Sequence, residues 1–563
     1  MKRFHTMSIA VVLLLAIVAG ALTACNTSSS STEGSLPTIP PTVTARPHMT
    51  PTFIPSTANI ELPAVDWDQV QHMYPAMRPE YTGDVDQFVE TGQRYYIEAR
   101  LDLGPEAAVV DGAQRVRFTN NFDVVMDEIV YRLYPNLPDM GGQLRISNVT
   151  LNGDPVEPVF EVRNTIMSIP VAGGLAPGET VEMSMDFILV VERGINPERF
   201  GFEFSQFQAV NWHPTLSVFE GPEKGWWKTR IWPQNNDPYY GEIGLYEIKL
   251  THSENVMVGI SGVTTEQVDN GDGTVTKYIV TGPMRDNFLL AGTTMGKITD
   301  EIDGIVVNVY FLPGGERGAE WVMEVSLRTL EVFNRIFGDY PYSELDIAQT
   351  EIAAGGVEYP GIVVVDRNLW DNGSPTTELI TAHEIGHQWW YAMVGNNQGE
   401  VPWIDESITS YAEGIYLRET YEDDEERYTD WLQSQRNSFN FFLGSGAENL
   451  TMNRSTIEFP PFQVGILIYT KGRIFYSELE EMVGRDVFYQ ALHNYFLDMK
   501  YEITSAYDIM RHFEEASGQD LDAFFYEWVG DFEGLDPAVK DDADPSDDLS
   551  TEEETLPMFK FGG

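Results

Sequence analysis

The sequence predicts a multidomain α+β protein in which an N-terminal antiparallel β-rich domain precedes a mainly helical domain. Three observations predict it. From about Tyr95 to Thr294 apolar positions recur with a period of two, and no helical period persists. The texture changes near Gly296, and helical spacing dominates from Glu378 to about Val529. The length of 563 residues corresponds to three or four units at roughly 150 residues per domain.

Composition removes several classes of protein. A hydrophobic fraction of 42% with 12% aromatics is enough to build packed cores, which excludes a disordered chain. The chain has 35 Lys+Arg against 87 Asp+Glu, a net charge of −52. Nucleic acid is excluded as a partner, because phosphate binding needs clustered cations. A polybasic mode of membrane attachment is disfavoured for the same reason. The single cysteine, Cys25, cannot close an intramolecular disulfide or supply a multi-thiolate zinc cage.

At the N-terminus, Met1–Lys2–Arg3 is basic, residues 9–18 form an unbroken apolar run, and Leu22–Thr23–Ala24–Cys25 follows. This pattern predicts a signal peptide over residues 1–24. The run is shorter than the ~20 residues a membrane span requires. Leu-Thr-Ala-Cys resembles the bacterial lipobox, in which the cysteine becomes the lipidated first residue. The resemblance implies a lipoprotein held to the membrane through Cys25 in an extracytoplasmic location. Residues 25–80 are expected to form a tether, since Asn26 to about Ile60 is rich in Ser, Thr and Pro.

Residues 81–295 make the expected β-rich domain. Arg115–Phe118 and Tyr246–Leu250 alternate as half-buried strands do, and Asp269–Asn270–Gly271–Asp272–Gly273 reads as a hairpin turn. Residues 296–535 make the expected helical domain. It opens with a strand from Ile305 to Leu312. Val322, Val325, Leu330, Phe333 and Phe337 then mark one helix face that stops at Gly338. Ser505 with Asp508 resembles a capping box ahead of Ile509 and Phe513. Residues 536–563, with acids from Asp541 to Glu554, are expected to be a solvated tail.

The chemistry concentrates in His383–Glu384–Ile385–Gly386–His387, within a segment of helical spacing over 378–394. Residues i and i+4 share a helix face, so both imidazoles can reach one metal ion, while Glu384 is offset by about 100°. With nine histidines in the chain, the chance expectation for this pattern is about 0.01. A catalytic zinc takes three protein ligands and keeps one position open. Glu406, at the start of a second helical segment, can supply the third. By spacing alone Glu400, Asp405 and Glu413 compete with it.

The pattern His-Glu-x-x-His, eighteen residues, then Glu406 in Trp403–Ile404–Asp405–Glu406 resembles the aminopeptidase N family of gluzincin zinc metallopeptidases. Gly355–Gly356–Val357–Glu358–Tyr359 resembles that family's Gly-x-Met-Glu-Asn motif, and Tyr469–Thr470–Lys471–Gly472 its Tyr-x-Lys-Gly segment. Phe204–Ser205–Gln206–Phe207–Gln208–Ala209 resembles a stretch of its leukotriene-hydrolysing aminopeptidase branch. The motifs occur in the family's order.

The resemblance implies a thermolysin-like catalytic domain over 296–535 and one Zn²⁺ per chain on His383, His387 and Glu406. It implies Glu384 as general base and Tyr469 as donor to the oxyanion, although the residues alone give Tyr469 no preference over Tyr476. Glu358 would bind the free α-amino group and Gln208 the same amine or the first side chain. Gly355 and Gly356 would offer backbone N–H groups. The implied activity is removal of N-terminal residues from peptides by zinc-activated water. Val357 and Tyr359 stand where the family has Met and Asn, which bears on the first subsite. A thermolysin-like endopeptidase would have no use for Glu358, and an inactive surface-tethered binding protein would not need the full catalytic set. His213 and Trp389–Trp390 read as structural, and His493 and His512 as surface residues.

Overall fold

The computed structural model describes residues 60–535, apart from 139, 195–198, 204, 232–236 and 353. The signal peptide, Cys25, the first part of the tether, Phe204 and the acidic tail lie outside the described residues. The described residues fall in one compact unit.

The chain is packed well before residue 81. Val70, Met73, Ala76 and Met77 are buried. The Arg78 backbone N–H donates to the Pro341 carbonyl at 2.8 Å. The expected tether over 25–80 is therefore too long: the Ser/Thr/Pro composition ends near residue 60, and the apolar residues that follow cover the body of the protein.

The β-rich part is built on an eight-stranded sheet. Two of its central strands are β1 (Gln93–Leu103) and β2 (Ala107–Thr119), paired antiparallel with Arg94 opposite Arg117. Strand Thr180–Glu192 continues the sheet and buries every second residue, as the period-two pattern requires. The expected hairpin forms between Val263–Asp269 and Thr274–Val280, with Gly271 and Gly273 at φ +75° and +85°. One pairing departs from the antiparallel expectation. β1 runs parallel to Gly244–Ser253, which the long intervening chain permits because a parallel pair needs a crossover, not a turn.

A five-stranded sheet begins at Gly296. Its order is Gly296–Ile302, Ile305–Phe311, Glu344–Thr350, Ile362–Asp366, Gly356–Tyr359, and the two central pairings are parallel. Helix α1 (Glu316–Ile336) buries the predicted face, including Val322, Val325, Leu330 and Phe333. Gly338, at φ +125°, follows its end, where a Cβ would come within 2.8 Å of Phe496.

Helix α2 (Pro375–Gly386) is shorter than the expected 378–394 segment. Past His387 the chain turns, and Tyr391 takes a φ of +139°. Trp389, Trp390, Met393 and Val394 mimic helical spacing because all are core residues. Helices α3 (Trp403–Thr420), α4 (Glu425–Gly444) and α5 (Lys471–Val483) follow. The capping box at Ser505 and Asp508 is present. His512 differs from expectation: it is 3% exposed, with the Asp508 carbonyl 2.6 Å from its Nδ1.

The two parts are joined by Arg285. Its buried guanidinium donates to the carbonyls of Gly241 (2.9 Å), Tyr391 (3.2 Å), Met393 (3.0 Å) and Glu502 (2.5 Å). Gly395 has no side chain for a physical reason, since its Cβ would lie 2.1 Å from the guanidinium carbon.

Candidate active site

Ser374 caps α2, its hydroxyl accepting from the Thr377 N–H at 3.4 Å, and Pro375 occupies the first helical position. His383 sits in the last turn and His387 is the C-cap residue. Helix α3 approaches closely at Gly386, where a Cβ would come within 3.0 Å of Thr409. This approach brings Glu406 from the first turn of α3 to both histidines. Nε2 of His383 and of His387 are 3.2 Å apart, and each is 3.3 Å from Glu406 Oε2.

These separations fit one ion. Ligand atoms about 2.05 Å from a tetrahedral zinc lie about 3.3 Å from one another. The Glu406 Oε2 atom is buried without a hydrogen-bond partner, as an atom reserved for a cation would be. Two imidazoles and a carboxylate form a donor set suited to zinc. The competitors by spacing are otherwise engaged or turned away. Asp405 accepts from Asn396 and Gln398, both at 2.9 Å. Glu413 lies 2.9 Å from Nδ1 of His383, and Glu400 is exposed.

The ligands are held from behind. Glu413 receives the His383 Nδ1–H and also the Arg473 guanidinium at 2.5 Å. His387 Nδ1 donates to the Trp390 carbonyl at 3.0 Å. Both bonds leave Nε2 free of its proton for a metal. Burial opposes charge on Glu406, but His387 and His383 hold its carboxyl below the usual range.

Glu384 is buried beside the cluster, its carboxylate resting over Gly356. A Cβ on Gly356 would lie 2.1 Å from Glu384 Oε1. Gly356 thus makes room for the Glu384 carboxylate. Gly355 meets no such crowding but adopts φ +69°. Burial raises the Glu384 carboxyl to about 7, against the pull of His383 and His387.

Glu358 lies on the edge strand Gly356–Tyr359 and is buried. Its carboxylate accepts from Gln398 at 2.7 Å. Ligand-type atoms of Glu358, Glu384 and His387 lie within 4.8 Å of one another. Burial pushes the Glu358 carboxyl well above its usual range. Tyr469 is on a single π-helical turn, Gly465–Thr470, that leads into α5, and its hydroxyl donates to Glu406 Oε1 at 2.5 Å. Burial and then Glu406 hold its pKa well above 10, so it is a donor at all ordinary pH. Tyr476, by contrast, is fully buried in an aromatic cluster. Gln208 is buried on strand Gln206–Val210, in a separate four-stranded sheet.

Some members of the site carry no motif. Asp237 places a carboxylate oxygen within 4.8 Å of Glu358 and Glu406, and it is ion-paired with Arg199 at 2.6 Å. Nothing in the spacing of the chain signals this pair. Glu413 was legible in principle, because it stands seven residues after Glu406 on one face of α3.

The fold and the cluster define a candidate single-metal site of the His-Glu-x-x-His type, with a carboxylate placed to be the third ligand. Residues 321–528 match the family model described as the peptidase family M1 domain. Aminopeptidase 2 of Candida albicans is 25% identical over 285 residues, covering 47% of this chain and 30% of its own length. Aminopeptidase N of Lactococcus lactis is 24% identical over 265 residues, covering 44% and 31%. The chain therefore spans about a third of the length of these curated relatives. Among solved structures, the M1 zinc metallopeptidase of Deinococcus radiodurans superimposes with a TM-score of 0.58 at 17% identity, covering 79% of this chain and 95% of that one. The fold is of that kind.

Proposed function

We propose that the protein is a zinc-dependent aminopeptidase that removes N-terminal residues from peptides. The carrying observation is the carboxylate of Glu358, buried within 4.8 Å of Glu384 and His387 and aligned by Gln398. A free peptide N-terminus is an ammonium ion and supplies the counter-charge this acid lacks. An endopeptidase would have no occupant for it.

His383, His387 and Glu406 would hold the zinc. Bound there, zinc would polarise the scissile carbonyl and make water acidic enough to lose a proton near neutrality. Glu384, poised near 7, takes the proton from the attacking water and passes it to the leaving amine. The Tyr469 hydroxyl turns from Glu406 to the developing oxyanion, and its loss should lower kcat by about 10²–10³-fold. Glu358 and the backbone around Gly355 fix the N-terminus so that the first peptide bond is the one attacked.

The test compares a peptide with its N-acetylated form. Free peptide should be cleaved far faster, and Glu358→Ala should erase the difference while zinc remains bound. Equal rates on the two peptides in the wild type would rule the reading out. The lipobox-like Leu22–Cys25 supports a further part of the proposal, that Cys25 anchors the chain to the extracytoplasmic face of a bacterial membrane. Cys25→Ser should then move the protein from the membrane fraction to the soluble one.

A further inference from the structure

A cavity of about 570 Å³ opens between the hairpin Val263–Asp269/Thr274–Val280, the strand Met257–Ile260 and the five-stranded sheet. It shares no residue with the metal cluster. Lys277, Lys297, Glu344 and Asp346 line it, and among the described residues none of the four closes an ion pair with another.

Each is held in an incomplete environment. Asp346 is 2% exposed and accepts from Asn308 Nδ2 at 2.9 Å. Glu344 stands two residues earlier on the same strand, so the two carboxylates share one face. Lys277 donates weakly to the Val258 carbonyl at 3.5 Å, leaving two of its three donors. Lys297 is exposed at the rim, 5.6 Å from the Tyr310 ring. His252, also 2% exposed, donates from Nδ1 to the Ser253 carbonyl at 2.9 Å. Its Nε2 is an acceptor without a partner among the described residues. Met257 and Ile260 add apolar surface.

Acids and bases facing one cavity would close into ion pairs if the walls allowed it. Held apart, they complement a molecule that carries both signs. We infer that this cavity binds a small zwitterion with an apolar side chain, an α-amino acid or dipeptide. Its ammonium would lie on Asp346, Glu344 and His252, and its carboxylate on Lys277 and Lys297. The volume lies within the range of small-molecule sites. The inference rests on the cavity alone and does not require the proposed hydrolysis.

Equilibrium dialysis of L-leucine against the full-length Glu358→Ala protein tests it, because that variant removes the amine contact at the metal site. One equivalent of leucine should remain bound. L-leucinamide and N-acetyl-L-leucine, each lacking one charge, should bind at least tenfold more weakly. Adding Lys297→Met or Asp346→Asn should weaken leucine binding at least tenfold. Lys297→Met in the otherwise wild-type chain should leave aminoacyl-amide hydrolysis unchanged. No bound leucine in the Glu358→Ala protein, or leucine binding indifferent to both added substitutions, would overturn the inference. Absent hydrolysis in the wild type would count against the proposed function and leave the dialysis result untouched.

Discussion

His383 donates from Nδ1 to the Glu413 carboxylate at 2.9 Å, on the side of the ring opposite the metal position. Glu413 is fixed in turn by Arg473 at 2.5 Å. The pair sets the tautomer of the ligand and keeps its Nε2 lone pair aimed at the cluster. Glu413→Gln should weaken zinc binding by about 10- to 100-fold. Competition with a chromophoric chelator measures it, and an unchanged affinity would show that the ring needs no support from α3.

Gly356 and Glu384 occupy one space. Gly356→Ala should displace the Glu384 carboxylate, leave zinc content at one per chain and lower kcat by about 10²–10⁴, the usual worth of a positioned base. Glu384→Gln should give the same pattern by removing the base directly. Metal analysis beside aminoacyl-amide turnover distinguishes a lost base from a lost ion. A wild-type rate in both variants would exclude Glu384 from the reaction.

His213 predicts acid sensitivity. It is fully buried among Tyr95, Trp212 and Tyr246, with Gln114 Oε1 3.0 Å from its Nδ1. Burial lowers its pKa to about 4. Between that value and the ordinary ~6.5 the unfolded chain binds a proton that the folded chain refuses, so stability falls as pH drops through this window. The full loss is about 3 kcal/mol. His213→Asn should flatten the fall in denaturant midpoint between pH 7 and 4.5. Parallel curves for the two proteins would refute this assignment.

Much of the architecture was legible because the signals were local. Period-two strands, the turn at Asp269–Gly273 and the capping box at Ser505 each need only a few neighbouring residues. The clustering of His383, His387 and Glu406 was legible because i and i+4 share a helix face and the next helical segment begins close by. The end of α2 was misread because buried tryptophans imitate a helical period. The packing of 70–80 was missed because its partner, around Pro341, lies far along the chain. Asp237 and Arg199 reach the site from irregular chain of the β-rich part, where only three-dimensional proximity reveals them. The environment of His512 was hidden for the same reason, since Asp498 approaches it from the preceding helix.

The Arg285 guanidinium bears on how this protein can be divided. The stretch that matches the peptidase family begins at residue 321, and a cloning boundary placed there would discard the arginine. The carbonyls of Tyr391, Met393 and Glu502 would each lose a charged donor inside the interior. Two of them lie within six residues of His387. The matched stretch is not a cassette that can be lifted out: the β-rich part supplies a keystone to the loop that shapes the metal centre, and the two have to be expressed as one piece.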